Sequence, residues 1–239
     1  MEGGEKGVMT LVLLPGMDGS GALFAGFAAA LGEGITPLVL SYPPDQALDY
    51  QGLTDFVRAR LPVGQPYVLL GESFSGPVAI AIAATRPSGL AGLILTCTFA
   101  RNPVPLLRHF SRLTPLLPVS GRLTDLAMPL LLGGHATPAL RRTLRGGLDQ
   151  LCPAVLRARM RAVLAVDYSV QARSITVPVL YLQALQDHVV SCNSMNHLAA
   201  LLPEMAVKAI DGPHLLLQAA PQATAAIVRD FVERTLATA

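Results

Sequence analysis

Short apolar runs alternate with longer segments of helical period along most of this chain. Apolar runs with the length of buried strands occur at residues 9–14, 38–40, 67–70, 93–96, 179–182 and 206–210. Segments with the length and apolar spacing of helices occur at residues 22–31, 51–61, 77–85, 194–202 and 222–236. Such alternation is typical of a parallel sheet covered by helices on both faces, so we predict an α/β fold.

The alternation is interrupted in the middle of the chain. After residue 102, Leu- and Arg-rich helical stretches are separated by prolines and glycines, and no strand pattern returns until residue 179. An insertion of about 70 residues is too long for an ordinary loop. We therefore predict a core domain formed by residues 1–102 and 174–239, and an all-helical cap formed by residues 103–173.

Composition and charge exclude several classes of protein. Of the 239 residues 51% are hydrophobic, which excludes a disordered chain. No run reaches the roughly 18 to 20 apolar residues of a membrane span. The net charge is only +2 and no aromatic residues interleave the arginines, so we expect no nucleic-acid binding. Three cysteines without a CxxC pair predict neither disulfides nor a metal site; we expect no cofactor and a cytoplasmic location.

One serine stands at a predicted strand-to-helix turn, in the segment YVLLGESFSGPVAIAIAA. A serine in so sharp a turn has its hydroxyl lifted above the sheet edge, and the residues two before and two after it must be small. Gly71 meets this requirement before Ser73. After it comes Ser75, where glycine is usual, followed at once by Gly76. Taking Ser75 as the nucleophile instead would place Pro77 at a flanking position, which fits less well.

With this segment the chain resembles the α/β-hydrolase superfamily, in particular its small capped carboxylesterases and lipase-like serine hydrolases. The family's chain order of nucleophile, acid and histidine implies Asp187, in PVLYLQALQDHVV, and His214, in VKAIDGPHLLLQ. Asp211 is a rival acid, although it lies only three residues before His214. All three groups follow predicted parallel strands, whose carboxyl ends share one edge of the sheet.

The resemblance also implies the roles of these residues and the sheet topology. His214 would activate the hydroxyl of Ser73, and Asp187 would fix the imidazole tautomer. Backbone N–H groups of Met17, in LPGMDGSG, and Phe74 would form an oxyanion hole. Only about eight residues precede the first strand, so we expect a minimal sheet of six parallel strands in the order 2-1-3-4-5-6. The implied reaction is hydrolysis of a carboxylic ester through an acyl-enzyme.

The composition of the cap bears on the substrate. Residues 101–173 contain 16 leucines, which favours an apolar pocket and a small-molecule ester with a short-to-medium acyl chain. The alternative is that these leucines only pack the cap against the core. The same residues contain 11 arginines against three acids. These include two clusters, Arg141, Arg142 and Arg145, and Arg157, Arg159 and Arg161.

The arginines permit two interpretations. They could form a cationic rim that binds an anionic substrate or an acidic acyl-carrier protein, which would favour a thioesterase or a carrier-linked esterase. Alternatively they are a solvated helix face, since the chain uses 16 Arg and only 2 Lys throughout. A lyase or carbon–carbon hydrolase with the same triad, and a non-catalytic ligand-binding module, also remain open. We expect His109, His135, His188 and His197 to have packing or surface roles, and Glu72 to support the turn.

Overall fold

A parallel sheet of six strands forms the centre of the molecule. The computed structural model describes residues 9–106 and 121–238. The strands are β1 (Met9–Leu14), β2 (Ile35–Val39), β3 (Tyr67–Glu72), β4 (Leu90–Thr96), β5 (Val179–Gln186) and β6 (Ala206–Pro213). Each neighbouring pair is parallel, in the order β2-β1-β3-β4-β5-β6. The predicted fold class and strand order are therefore confirmed.

Ten α-helices are found among the described residues. Those outside the predicted cap are α1 (Ala25–Ala30), α2 (Tyr50–Arg58), α3 (Gly76–Ala84), α8 (Cys192–Leu201), α9 (Leu216–Ala219) and α10 (Pro221–Thr238). Those between β4 and β5 are α4 (Gly121–Leu132), α5 (Pro138–Asp149), α6 (Pro153–Ala165) and α7 (Ser169–Arg173). In the described part of the chain, every helix is too short or too polar to cross a lipid bilayer.

Both faces of the central strands β1, β3 and β4 are buried, which explains why these strands read as continuous apolar runs. Along β1, Val12 and Leu14 join a core cluster with residues of α2, α3 and α8. The alternate residues Leu11 and Leu13 point the other way and join a second cluster with residues of α1 and α10. Because α3 also contacts α2 and α7, it is buried nearly all round and has no polar face.

The chain leaves the core after β4 and returns through a short backbone contact. Arg101 and Asp167 form an isolated antiparallel bridge, and the Asn102 N–H donates to the Val166 carbonyl at 3.0 Å. From there α7 packs against α3 and α8. The predicted limits of the cap, residues 103 and 173, stay a prediction. Residues 107–120, with His109 among them, lie outside the described residues.

Leucines of the helical segment pack directly on the core. Leu132 and Leu144, both buried, form a cluster with Met128 of α4 and with Leu23 and Leu215 of the core. The Leu215 N–H also donates to the Leu131 carbonyl at 2.9 Å. Part of the leucine content of this segment is therefore used to hold it against the core next to residue 214.

Candidate active site

The turn after β3 places Ser73 in a strained conformation. Its φ of 49° lies in the left-handed region, which residues other than glycine seldom adopt. Before it, Gly71 is required by space, because a Cβ there would lie 2.8 Å from both the Ala79 Cβ and the Ser75 carbonyl oxygen. The turn therefore has the strand–serine–helix geometry that lifts a hydroxyl above the sheet edge.

The close approach after the serine occurs at Gly76. A Cβ on Gly76 would overlap Oγ1 of Thr98, a buried residue just after β4. The Thr98 hydroxyl uses that space to donate a hydrogen bond to the Ser73 carbonyl. The G-x-S-x-G pattern predicts the small residue at position 75, but here the Thr98 side chain restricts position 76 instead.

The serine at position 75 connects the turn to the loop after β1. Ser75 is fully buried, and its hydroxyl donates to the Pro15 carbonyl. Since that hydroxyl has one proton, the Tyr42 hydroxyl must be the donor in its 2.6 Å hydrogen bond with the Ser75 Oγ. Burial raises the pKa of Tyr42, which keeps the phenol protonated for this purpose. The residue that departs from the G-x-S-x-G pattern thus holds two loops together.

Three polar side chains meet at the carboxyl edge of the sheet. Ser73, Asp187 and His214 each directly follow the last residue of a strand, β3, β5 and β6. The His214 Nε2 lies 2.7 Å from the Ser73 Oγ, and its Nδ1 lies 2.8 Å from the Asp187 Oδ2. The side chains of His214 and Asp187 are only 2% and 7% exposed. The geometry allows a proton to pass from the hydroxyl to the imidazole.

The backbone fixes the orientation of the Asp187 carboxylate. Its Oδ1 accepts hydrogen bonds from the N–H groups of Val189 and Val190, both at 2.8 Å, so Oδ2 is left to face the imidazole. The rival acid Asp211 is exposed and instead accepts a hydrogen bond from the Gln186 Nε2 at 2.7 Å. Asp187 is therefore the carboxylate that orients the imidazole.

The two expected oxyanion donors have free N–H groups beside the serine. Neither the Met17 nor the Phe74 N–H donates a hydrogen bond to another described residue. Phe74 follows Ser73 in the short 3-10 turn that leads into α3. Met17 lies in a turn closed by a 3.1 Å hydrogen bond from the Gly19 N–H to the Gly16 carbonyl. Both N–H groups are therefore unoccupied, as oxyanion donors must be.

Arg159 does not belong to a surface rim, which corrects one interpretation of the second arginine cluster. Its side chain is 1% exposed, and its Nη1 donates to the Met17 carbonyl at 2.7 Å. It occupies the buried face of α6 with Val155 and Ala162, at helical spacing of four and three residues. That spacing was the sequence signal for the burial of Arg159, because it places a charged residue at a helix position that an apolar residue normally occupies. Arg141, Arg142 and Arg145 of α5 are exposed.

A buried acid lies directly before the serine. Glu72 is 1% exposed, and its Oε2 accepts a 3.3 Å hydrogen bond from the Gln218 Nε2. Burial, with a smaller contribution from the nearby Asp18, raises the pKa of Glu72 to about 8. The Oε1 atoms of Glu72 and Gln218 both lack a partner among the described residues. With a pKa of about 8, the acid is mostly protonated at pH 7.

The remaining titratable side chains of the described residues form no metal-binding group. Within residues 9–106 and 121–238, no three His, Cys, Asp or Glu side chains come together as metal ligands would. His135 and His188 are exposed, whereas the His197 Nε2 lies 2.9 Å from the Ser169 Oγ. The buried Cys97 directly follows β4, and burial raises its pKa.

The strand order and the strained serine turn are those of the α/β-hydrolase class. The sequence model of the Alpha/beta hydrolase family matches residues 11–227 of the chain. The chain therefore belongs to this family.

Individual relatives show how far the similarity extends. Phytyl ester synthase 1, chloroplastic, of Arabidopsis thaliana is 34% identical over 119 residues. The match covers 46% of this chain and only 16% of that much longer relative. A thermophilic esterase from Thermogutta terrifontis superimposes with a TM-score of 0.83 at 19% identity, covering 96% of this chain and 91% of the esterase. An enol-lactonase from Burkholderia xenovorans LB400 superimposes with a TM-score of 0.78 at 18% identity, covering 95% of this chain and 92% of the lactonase. These two structures share the fold.

Proposed function

We propose that this protein is a serine hydrolase that cleaves carboxylic esters with apolar, short-to-medium acyl chains. The observation that carries the proposal is the hydrogen-bonded row of Ser73, His214 and Asp187, with distances of 2.7 and 2.8 Å. The names of the relatives add support, since they include an ester synthase, an esterase and a lactonase, and a lactone is a cyclic ester.

The first half of the reaction is acylation of the serine. The Ser73 Oγ forms a bond to the ester carbonyl carbon while its proton moves to the His214 Nε2. The π electrons of the carbonyl move to its oxygen, which the free N–H groups of Met17 and Phe74 stabilise. When the carbonyl re-forms, the bond to the alcohol oxygen breaks. The alcohol leaves with the proton from His214, and the acyl group remains on Ser73.

The second half returns the enzyme to its starting state. A water molecule gives a proton to the His214 Nε2 and attacks the acyl carbon. The bond to the Ser73 Oγ then breaks and the serine recovers a proton from His214, so the acid leaves. Through both halves, the Asp187 carboxylate accepts the Nδ1–H and stabilises the imidazolium. No cofactor enters these steps.

The proposed preference for apolar acyl groups rests on the helices between β4 and β5. Leu156 and Leu164 are half-buried and lie outside the core clusters, whereas the half-buried Leu131, Leu140 and Leu148 pack against the leucine cluster. Half-buried apolar side chains are suited to contact an acyl chain and to keep water from it.

The test is hydrolysis of p-nitrophenyl esters of increasing acyl length. We expect turnover with a maximum at a short or medium chain, and a loss of at least about 10³-fold in kcat for Ser73→Ala. Asp211→Asn is the matched control, because this exposed acid does not contact His214, and it should keep the wild-type rate. Full activity in Ser73→Ala would contradict the proposal. Binding of apolar ligands by an unreactive wild-type protein would favour a non-catalytic module.

The exposed arginines of α5 support a second candidate, an esterase or thioesterase for acyl groups on an acidic carrier protein. We expect the triple change of Arg141, Arg142 and Arg145 to Ala to raise KM for an acyl-carrier substrate by about tenfold or more, since about 1.4 kcal/mol of attraction corresponds to tenfold in affinity. The same variant should hydrolyse p-nitrophenyl esters at the wild-type rate. Equal KM values for variant and wild type on the carrier would reject this candidate.

A further inference from the structure

The loop after β1 is held by one hydrogen bond at each of three consecutive carbonyl groups. We call residues 15–17 the oxyanion loop, because they end at the Met17 N–H. The donors to the carbonyls of residues 15, 16 and 17 are, in that order, the Ser75 hydroxyl, the Gly19 N–H and the Arg159 guanidinium. A peptide unit is planar, so a fixed carbonyl also fixes the N–H that follows it.

Of these three donors only Arg159 comes from the segment between β4 and β5. The Gly16 carbonyl and the Met17 N–H belong to one peptide unit, which Gly19 holds on one side. The next unit contains the Met17 carbonyl, which Arg159 holds at 2.7 Å. With both units held, Met17 cannot rotate its N–H without breaking a hydrogen bond.

Burying the charged guanidinium for this contact costs free energy. It is 1% exposed and forms no ion pair with any carboxylate of the described residues. Its hydrogen-bond partners among the described residues are two backbone carbonyls, of Met17 and, at 3.3 Å, of Pro43. Burial disfavours the charged form and lowers the pKa of Arg159, and attraction to Tyr42 and Asp18 offsets this only in part. An apolar side chain would fill the same space without that cost.

The guanidinium also contacts the residue that carries the second donor. Its Cζ lies 6.0 Å from the centre of the Phe74 ring and 5.6 Å from that of Tyr42. It rests on the backbone of Gly19, where a Cβ would overlap Nη1. Arg159 thus lies against both residues that supply the N–H groups of the oxyanion hole.

We infer that Arg159 is a positioning residue for the oxyanion loop, so that the segment between β4 and β5 takes part in transition-state stabilisation. The inference rests on the proposed function. The Met17 N–H is needed most when the carbonyl oxygen becomes negatively charged, so its displacement lowers kcat and leaves substrate binding almost unchanged.

The test compares Arg159→Met with Arg229→Met. Arg229 of α10 is a matched control, because its Nη1 also donates to two backbone carbonyls, those of Ala30 and Leu31, in a different part of the molecule. For Arg159→Met we expect kcat on p-nitrophenyl butyrate to fall by about 10- to 100-fold, with KM within about threefold of the wild type. Arg229→Met should keep both values.

A trifluoromethyl ketone provides a readout that a merely structural role would not change. The Ser73 Oγ adds to its carbonyl carbon, the proton moves to His214, and the carbonyl oxygen becomes an oxyanion in the same hole. In Arg159→Met the inhibition constant should rise by the same factor as kcat/KM falls. In Arg229→Met it should not change.

The outcomes separate this inference from the proposed function. A folded Arg159→Met with wild-type kcat and wild-type inhibition constant overturns the inference but leaves the proposed function intact. If that variant does not fold, Arg159→Lys takes its place, because one ammonium cannot hold two carbonyls as the planar guanidinium does. A folded Arg159→Lys should lose about three- to tenfold in kcat, and wild-type values would again overturn the inference. A wild-type protein that neither hydrolyses esters nor binds the ketone overturns the proposed function, and the inference with it.

Discussion

The carboxyl edge of the sheet and the segment between β4 and β5 contribute to the candidate site in different ways. The edge supplies Ser73, Asp187 and His214, each from the residue directly after a strand, so their positions follow from the sheet itself. The helical segment supplies Arg159 and a leucine cluster, which act through contacts with the core. The candidate catalytic groups thus belong to the core, whereas the helical segment packs on the core and supports a loop.

This difference predicts a hierarchy of effects. Changes at the strand ends should abolish the chemistry with little effect on folding, since these side chains extend from a rigid edge. Changes in the helical segment should be graded and should act on stability or on one step of catalysis. The three predictions that follow run from the largest expected effect to the smallest.

The largest effect is expected for His214→Gln. Without the imidazole, Ser73 has no base, and kcat/KM for ester hydrolysis should fall by about 10⁴-fold or more, while the unfolding midpoint stays close to that of the wild type. His188→Gln is the control, because this exposed neighbour of Asp187 takes no part in the row. Steady-state kinetics on a p-nitrophenyl ester measures kcat/KM for both variants. A loss of less than tenfold in His214→Gln would mean that the strand ends do not carry the chemistry.

The second-largest effect is expected in the pH dependence of stability, which depends on Glu72. The folded protein keeps the proton on Glu72 up to about pH 8, whereas the unfolded chain loses it near the ordinary value of 4.5. Between these values the unfolded state binds fewer protons, so stability falls as the pH rises. The loss should be on the order of 4 kcal/mol between pH 4.5 and 8. It stops above the folded-state pKa, where both states have released the proton.

Urea unfolding at pH 5 and pH 8 measures this effect. The Glu72→Gln variant has no proton to lose, so its stability should decline less over this range than that of the wild type. Glu204→Gln, at an exposed acid, should follow the wild type. Parallel declines for wild type and Glu72→Gln would show that Glu72 is ionised in the folded protein at neutral pH.

The smallest effect is expected in the leucine cluster. Leu132 is 0% exposed, so Leu132→Ala should lower the free energy of unfolding by about 3 kcal/mol. Leu130, on the same helix and 48% exposed, is the control, and its change to Ala should cost less than about 1 kcal/mol. Thermal unfolding measures the stability of these variants, and steady-state kinetics measures their kcat. A collapse of kcat in Leu132→Ala to the level of His214→Gln would remove the distinction between the two regions.

The strand ends could be predicted from sequence through one local signal and one family resemblance. The strand-to-helix segment with its small residues locates Ser73, the chain order of the resembled family implies Asp187 and His214, and parallel strands bring such ends to one edge. The structure places these three side chains in contact, as expected.

The contacts of Arg159, Ser75 and Glu72 depend instead on distant parts of the chain. Nothing near Arg159 in sequence announces the carbonyls of Met17 and Pro43. The role of Ser75 depends on Pro15, and the neutral form of Glu72 depends on a pocket that Gln218 completes. Composition alone grouped Arg159 with exposed arginines, because charged residues are usually solvated.

The central claim, that Ser73 is a nucleophile activated by His214, is tested most directly with a fluorophosphonate. Such a probe forms a stable bond to an activated serine, and mass spectrometry of the digested protein locates it. The account predicts a single adduct, on the peptide that contains Ser73, in the wild-type protein and none in Ser73→Ala or His214→Gln. An adduct on another residue, or equal labelling of Ser73 in His214→Gln, would contradict it.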